Sequence, residues 1–480
     1  MNLKFITQNK SEKDNLSLNI FKKYFLDANK FLDILIINAN ESITLWLFEN
    51  SLKSGSGLGI LNINKENYLD DFLEKYNFRY LILPKSLISQ IKRINFHILN
   101  SFPIYKVEYV FIEIIKSNIR NQFIFSKSII LFTSGSSGDR KPVIIGHKSI
   151  ISCSKFMVDK MGTNKNDVEI IYAQLDHAFA LGRILSCAIS NSSFMFFNSK
   201  KILSPSIIEK FMQFKGLSGL SCMPSVLYKI LQNQKYEDFF SENLKYVQIG
   251  AMFLPANRKI ELVKKLPNTK IYAHYGMTEY MRATFFELSK NLSKAHTEGK
   301  ASQGTKIKIL KSDDKKNRLD SSEEFGEILL KGPHLASGYV SSEEWNLRIT
   351  DDGYFRTGDI GILDKDGFLV HKGRKDNIFN FQGKLFSSSA LQEQLEKKFP
   401  SLENNIVIFP HRSKDTLRDT EVKLFLFNSQ LNKNKYPSER EIKKFFLPFG
   451  LRISIIEQAL EIPRTANGKI SYGNLKNLID

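Results

Sequence analysis

The sequence predicts an α/β protein in two parts. A large N-terminal domain of stacked α/β sheets ends in a β-rich subdomain, and a small α+β domain follows at the C-terminus. Three observations predict this. Between Lys30 and about Leu83, short apolar runs alternate with amphipathic stretches, the rhythm of parallel strands joined by helices. From Gly326 to about Val370 the pattern becomes short strands punctuated by Asp-Gly turns. After the run His371 to Asn377 it is mixed again, which sets the boundary at Arg374 and gives domains 1–373 and 374–480.

In chain order, DILIIN (33–38) reads as a buried strand, SITLWLFENSLKSG (42–55) as a helix ending at glycine, and LGILNI (58–63) as the next strand. YLDDFLEKYN (68–77) reads as a helix and YLILP (80–84) as a further strand. The same rhythm returns at 128–138, 216–232 and 244–266. Beyond the boundary come a helix at LQEQLEKKF (391–399), strands at NNIVIFP (404–410) and VKLFLF (422–427), and a helix at SEREIKKFFLPF (438–449).

Composition narrows the function classes. A chain of 480 residues is long enough for two to four folding units. Its 42% hydrophobic content, with 13 Pro and 26 Gly, excludes a mostly disordered or collagen-like chain. The net charge of +19 suits acidic partners: nucleic acid, anionic lipid, a polyphosphate substrate or an acidic carrier protein. The basic residues are nevertheless spread, without the block that marks a nucleic-acid arm, so compositional drift is the better account of the charge. Cys153, Cys187 and Cys222 are odd in number and form no CxxC pair, which argues against a disulfide framework. The N-terminus lacks a signal-peptide core, and the longest apolar stretch, Ile184 to Phe197, is interrupted by Ser and Asn and too short for a membrane span. The expectation is a cytoplasmic protein with no membrane span and no nucleic-acid partner.

The sharpest local feature is Ile129 to Pro142, an apolar strand running into Thr133-Ser134-Gly135-Ser136-Ser137-Gly138 and then Lys141. Glycines let backbone N–H groups approach an anion, hydroxyls add donors, and the lysine adds charge. It is not a Walker A loop, because Arg140 stands where the second glycine belongs and Pro142 where Ser/Thr belongs. Downstream follow Tyr275-Gly276-Met277-Thr278-Glu279, then Tyr354-Phe355-Arg356-Thr357-Gly358-Asp359, then Gly373-Arg374-Lys375-Asp376, and finally Pro463-Arg464-Thr465-Ala466-Asn467-Gly468-Lys469-Ile470.

This set, in this order, resembles the acyl-adenylate-forming superfamily of acyl-CoA ligases, adenylation domains and luciferases, over the chain from about Lys30 to Lys469. The resemblance implies ATP-dependent activation of a carboxylic acid, with pyrophosphate release, and transfer to a thiol. That chemistry brings two anions together, so positive charge and a metal are needed. On the resemblance, Thr133, Ser134, Gly135, Ser136, Ser137, Gly138 and Lys141 would hold the β- and γ-phosphates. Tyr275 would stack on adenine, Thr278 would contact the α-phosphate, and Glu279 would hold Mg²⁺. Asp359 would accept hydrogen bonds from both ribose hydroxyls, Arg374 would also reach the ribose, and Lys469 would be the catalytic lysine. Asp376 matches the hinge on which the C-terminal domain turns, and Gly383 would line the tunnel for an incoming thiol.

The acid itself is less defined. His177 lies in a segment that carries a histidine in fatty-acyl and aryl ligases, and Ala178 stands where amino-acid-activating domains place an aspartate, which disfavours an α-amino acid. Gly276 stands where acetate-specific relatives carry tryptophan and so leaves room for a longer or ring-bearing acyl group. Gly250-Ala251-Met252 would form another wall, Gly250 and Ala251 toward the nucleotide and Met252 toward the acid. Leu385 replaces a basic residue common after the tunnel glycine, so CoA and the phosphopantetheine arm of a carrier protein both stay open as acceptors. The leading expectation is a free-standing acid–CoA ligase. An acyl–carrier-protein ligase is the rival, and a non-catalytic nucleotide-binding descendant is disfavoured because Lys469 and Glu279 are both present.

Overall fold

The computed structural model describes residues 34–38, 41–62, 69–76, 78, 80–104, 107–115, 127–134, 140–199, 203–250, 254–311, 325–375, 378–381, 384–402, 405–411, 421–427, 436–451, 453–458, 462–463, 475 and 478. The strands of the first sheet are β1 (Ile34–Ile37), β2 (Leu58–Leu61), β3 (Tyr80–Pro84), β4 (Phe96–Ile104), β5 (Val107–Ile114), β6 (Ser128–Ser134) and β7 (Arg140–Gly146). A second sheet uses β8 (Val168–Ala173), β9 (Ser193–Asn198), β10 (Leu217–Cys222), β11 (Tyr246–Ile249), β12 (Lys270–Ala273) and β13 (Phe286–Glu287). A third contains β14 (Lys306–Lys311), β15 (Gly326–Lys331), β17 (Phe355–Leu363) and β18 (Leu369–Arg374), while the short β16 (Gly338–Tyr339) joins the edge of the first beside β7.

Parallel β1, β2 and β6 are the expected crossover strands, and β1 is buried at every residue because both sheet faces are covered. β1, β2 and β3 are parallel, as the alternation over Lys30 to Leu83 implied, whereas the first sheet as a whole is mixed. β4 and β5 form an antiparallel hairpin on β3, and β7 returns antiparallel on β6. Direct reversals of this kind need no crossover helix. The second sheet is parallel from β9 through β12, and β13 reverses.

Two helices, His147–Met161 and Ala178–Ser190, share one core cluster with inner faces of both sheets. Small residues let them approach closely: Ser154 Oγ donates to Gly182 O at 3.0 Å and Ser186 Oγ to Ser154 O at 3.2 Å. The apolar stretch from Ile184 thus ends a core helix, and among the described residues no helix is long and apolar enough to cross a membrane. The core holds a buried ion pair. Glu169 on β8 and Arg183 are both 0% exposed; Arg183 Nε donates to Glu169 Oε1 at 3.0 Å and its Nη2 to Oε2. Ser221 Oγ (2.6 Å), Tyr246 Oη (2.9 Å) and the Cys187 thiol (3.6 Å) also donate to the carboxylate.

All three cysteines are buried and unpaired, as the sequence implied. Burial pushes the Cys153 thiol up to about 11 and that of Cys222 to about 12, and raises that of Cys187 further. In the C-terminal part, β19 (Ile378–Phe381) pairs with β20 (Lys384–Ser387), and β21 (Ile406–His411), β22 (Glu421–Phe427) and β23 (Ile453–Gln458) form a small sheet. The helix Glu439–Phe446 starts at a capping box, Ser438 with Glu441, and turns Ile442, Phe445 and Phe446 inward.

Candidate functional site

The Ser/Gly-rich segment connects two antiparallel strands. Thr133 pairs with Lys141 and Ser134 with Arg140, and Thr133 Oγ1 donates to Lys141 O at 3.3 Å. Gly135, Ser136, Ser137 and Gly138 lie outside the described residues. The Lys141 ammonium sits 2.9 Å from Glu344 Oε2, on the short helix Ser342–Asn346 that follows β16.

After β12 the chain makes a tight closed loop. Tyr275 N donates to Thr284 Oγ1 (3.0 Å) and Thr284 N returns a bond to Tyr275 O (3.1 Å). Met277 N and Tyr280 O, then Tyr280 N and Met277 O, close the next four residues at 3.0 and 3.2 Å. This holds Thr278 and Glu279 at the tip, while Tyr280 anchors the loop, fully buried with its hydroxyl 3.0 Å from Thr305 Oγ1. Glu279 Oε1 accepts from Tyr339 Oη at 2.8 Å; burial first, then this carboxylate, raises the phenol's pKa. A half-buried carboxylate offers hard oxygen donors of the kind Mg²⁺ takes alongside substrate phosphates, one or two carboxylates being enough. Among the described residues no group of three or more His, Cys, Asp or Glu forms a metal cluster.

The third piece is assembled from β17, β18 and the loop after β12. Tyr275 Oη donates to Asp359 Oδ2 at 2.6 Å, Arg374 Nη1 donates to Asp359 Oδ1 at 3.1 Å and to Thr357 O at 3.2 Å, and His371 Nε2 lies 3.8 Å from Asp359 Oδ1. Asp359 and Arg374 are register partners across the β17–β18 hairpin, whose turn is at Asp366-Gly367. Burial opposes the charge on Asp359, which is 5% exposed, yet His371, Arg374 and Tyr275 together hold its carboxyl below the ordinary 3.8. Burial, and then the same contact, raise the Tyr275 phenol well above its usual value. His371, 5.6 Å from the Tyr275 ring, was missed by the sequence reading, as was Tyr339.

His177 stands immediately before helix Ala178–Ser190, with Nε2 3.8 Å from Asp176 Oδ1. Gly250 is packed against His274, since a Cβ there would lie 1.9 Å from the ring's Cε1. His274 stacks on Phe179 (5.7 Å, 14°) and sits 3.3 Å from Gln248 Nε2; burial and the Arg282 charge depress its pKa well below 6.5. Gly276 has a second reason to be glycine, because a Cβ would meet Arg282 N at 2.6 Å. Arg282, also missed, is 2% exposed with φ of 45°, and donates to the carbonyls of Ala178 (3.0 Å) and Phe179 (2.9 Å). Burial lowers its pKa to about 10. Ala251, Met252, Asp376, Gly383 and Lys469 lie outside the described residues.

The AMP-binding enzyme family matches residues 126–340. A 2-succinylbenzoate–CoA ligase of Staphylococcus epidermidis is 24% identical over 72% of this chain and 69% of its own. A medium-chain fatty-acid–CoA ligase of Escherichia coli is 25% identical over 71% of this chain and 59% of its own. Among solved structures, ATP-bound MatB from Rhodopseudomonas palustris matches with a TM-score of 0.75 at 17% identity, covering 99% of this chain and 95% of that one. The o-succinylbenzoate CoA synthetase MenE from Bacillus subtilis, in complex with its acyl-adenylate intermediate, matches with a TM-score of 0.74 at 17% identity, covering 98% and 94%.

Proposed function

Since residues 126–340 match the AMP-binding enzyme family, we propose that this chain activates a carboxylic acid with ATP and passes the acyl group to a thiol, most simply CoA. The observation that carries this reading is the meeting of Tyr275, Asp359 and Arg374, distant in sequence, beside the loop that presents Thr278 and Glu279. Names of relatives support the same direction, one ligase acting on 2-succinylbenzoate and another on medium-chain fatty acids.

In the first half-reaction a carboxylate oxygen forms a bond to the α-phosphorus, and the bond to the bridging oxygen breaks, releasing pyrophosphate. Asp359, ionised and buried, accepts from the ribose hydroxyls, and Arg374 holds it in place. Tyr275 stacks on the base with its hydroxyl already tied to Asp359. Thr278 contacts the α-phosphate, Lys141 and the 133–138 segment take the outer phosphates, and Lys469 bridges carboxylate and α-phosphate as charge builds. Mg²⁺, held by Glu279 with the phosphates, would supply charge neutralisation. In the second half-reaction the thiol gives up its proton and its sulfur bonds to the acyl carbon, with AMP leaving. Asp376 is the hinge between the two stages, and Gly383 lines the thiol's path. His177, Met252 and Gly276 line the acid's pocket, with Gly250 and Ala251 between acid and nucleotide.

Glu344 pairs with Lys141, so a phosphate drawn to Lys141 would compete with it. Glu344→Gln is therefore expected to lower the apparent KM for ATP about two- to five-fold at low salt, the scale of an exposed ion pair of up to ~1 kcal/mol. A raised KM would show that Glu344 supports the site instead.

The test of the whole reading is carboxylate-dependent ATP–pyrophosphate exchange over short, medium, long-chain, hydroxy, aromatic and amino acids. Exchange with one class, lost in Lys469→Ala while ATP still binds, is the expected result. Silence across the panel would overturn it. Thioester formation with CoA against a phosphopantetheinylated carrier protein then separates the two acceptors.

A further inference from the structure

A cleft of about 210 Å³ beside Gly358 adjoins the nucleotide site through Arg374, and its other cations take no part in these steps. Arg348, Arg356, Arg374 and Lys375 line it, with Glu327 at the wall and Leu347 at the mouth. Its charges do not cancel. Glu327 is committed to Arg356, whose Nε and Nη2 lie 3.3 and 2.7 Å from its Oε2, to Lys375 at 3.6 Å and to the Gly358 N–H at 3.3 Å. Asp359 is committed to Arg374. Arg348 has no carboxylate: its Nη1 donates to the Arg356 carbonyl at 3.4 Å, and no acidic side chain among the described residues pairs with it. Among the described residues, four cations thus face two carboxylates, Glu327 at the cleft and Asp359 beside it, an excess of two positive charges.

Gly358 makes the arrangement possible. It has φ of +74°, and a Cβ there would lie 3.2 Å from Arg348 Nη1 and 3.3 Å from Arg374 Nη2. Two guanidiniums therefore converge on one glycine, in the kind of setting where forked donors grip phosphate oxygens. The cleft is smaller than the roughly 300–1,000 Å³ of sites that enclose a whole ligand, so it fits a terminal group with the remainder lying outside. Leu347, 81% exposed, offers an apolar surface there for a base.

We propose that this cleft binds a phosphomonoester, the 3′-phosphate on the nucleotide end of CoA, and so selects CoA over a thiol whose only phosphate is a diester, such as a carrier protein's arm. A phosphomonoester carries about −1.5 to −2 at pH 7 and matches the excess charge; a diester carries half as much. The inference rests on the reading of the chain as an acid–thiol ligase.

The experiment compares CoA with dephospho-CoA as acceptor in the wild type, Arg348→Gln and Arg348→Lys, with exchange measured separately without thiol. The wild type is expected to show a KM for CoA about ten-fold below that for dephospho-CoA. Arg348→Gln should shrink this advantage to about two-fold at unchanged kcat, Arg348→Lys should restore part of it, and exchange should stay at the wild-type rate. Equal KM values for the two thiols in the wild type would overturn the proposal. So would an equal loss with both thiols in Arg348→Gln, or a parallel fall in exchange, which would assign the cleft to ATP. Absence of exchange with every acid sinks the ligase reading instead. Calorimetric binding of CoA and dephospho-CoA then decides the cleft by itself, the preference for CoA supporting it and equal affinity refuting it.

Discussion

Glu169→Ala is expected to cost the protein at least 3–5 kcal/mol, a large part of the ~5–15 kcal/mol that holds an ordinary domain folded. The reason is the partner left behind. Arg183 is fully buried, and without Glu169 its one remaining side-chain hydrogen bond among the described residues is to Met161 Sδ, 3.2 Å from Nη1. The hydroxyls of Ser221 and Tyr246 lose their acceptor as well, each worth about 1–3 kcal/mol when left unsatisfied. A urea titration should show a collapse of the midpoint or an insoluble product. The double variant Glu169→Leu/Arg183→Met should recover much of the loss, because replacing a buried pair by apolar groups of similar volume is often near neutral. A single variant within ~1 kcal/mol of the wild type would mean that water reaches the pair.

Asp359→Asn should weaken ATP binding by about 100-fold. Charge-assisted hydrogen bonds are worth about 1.5–3 kcal/mol each, and the substitution touches those proposed to the ribose as well as the support from Arg374 and Tyr275. Isothermal titration with ATP measures it, and an unchanged affinity would contradict the ribose role. The sign of the pH effect follows from a carboxyl held below its ordinary 3.8. Its charged form persists below the usual carboxylate range, so its contribution should be flat from pH 8 to 5 and disappear only as pH falls through the depressed value.

The alternation through β1, β2 and β3 was legible because each strand is short, apolar and bounded by turn residues. The β4–β5 hairpin was not. It carries exposed polar residues on both faces, and its turn lacks the Asn-Gly or Asp-Gly signal that marked the β17–β18 hairpin. The reversal at β6–β7 was hidden by the very residues that drew attention, since a Ser/Gly-rich loop followed by lysine reads as a strand-to-helix phosphate loop. Of the site, Tyr275, Glu279, Asp359 and Arg374 came from the resemblance. The Asp359–Arg374 pair was also open to counting, because each lies seven residues from the Asp366-Gly367 turn. Arg282 and Arg348 carried no such signal; one lies on a buried wall and the other in an ordinary charged stretch, and only tertiary packing gives either its neighbours.

The burial of the three cysteines has a consequence for an enzyme of this kind. An acyl-adenylate is an electrophile, and the side chains it would damage first are thiolates. With its pKa pushed up to about 11, Cys153 is ionised in only about one molecule in ten thousand at neutral pH, and Cys187 and Cys222 are ionised less still. The chain's thiols are thereby kept from reacting with such an electrophile. For the same reason, a single cysteine added at the surface would be the only fast-reacting thiol, a ready handle for a dye that reports on the enzyme at work.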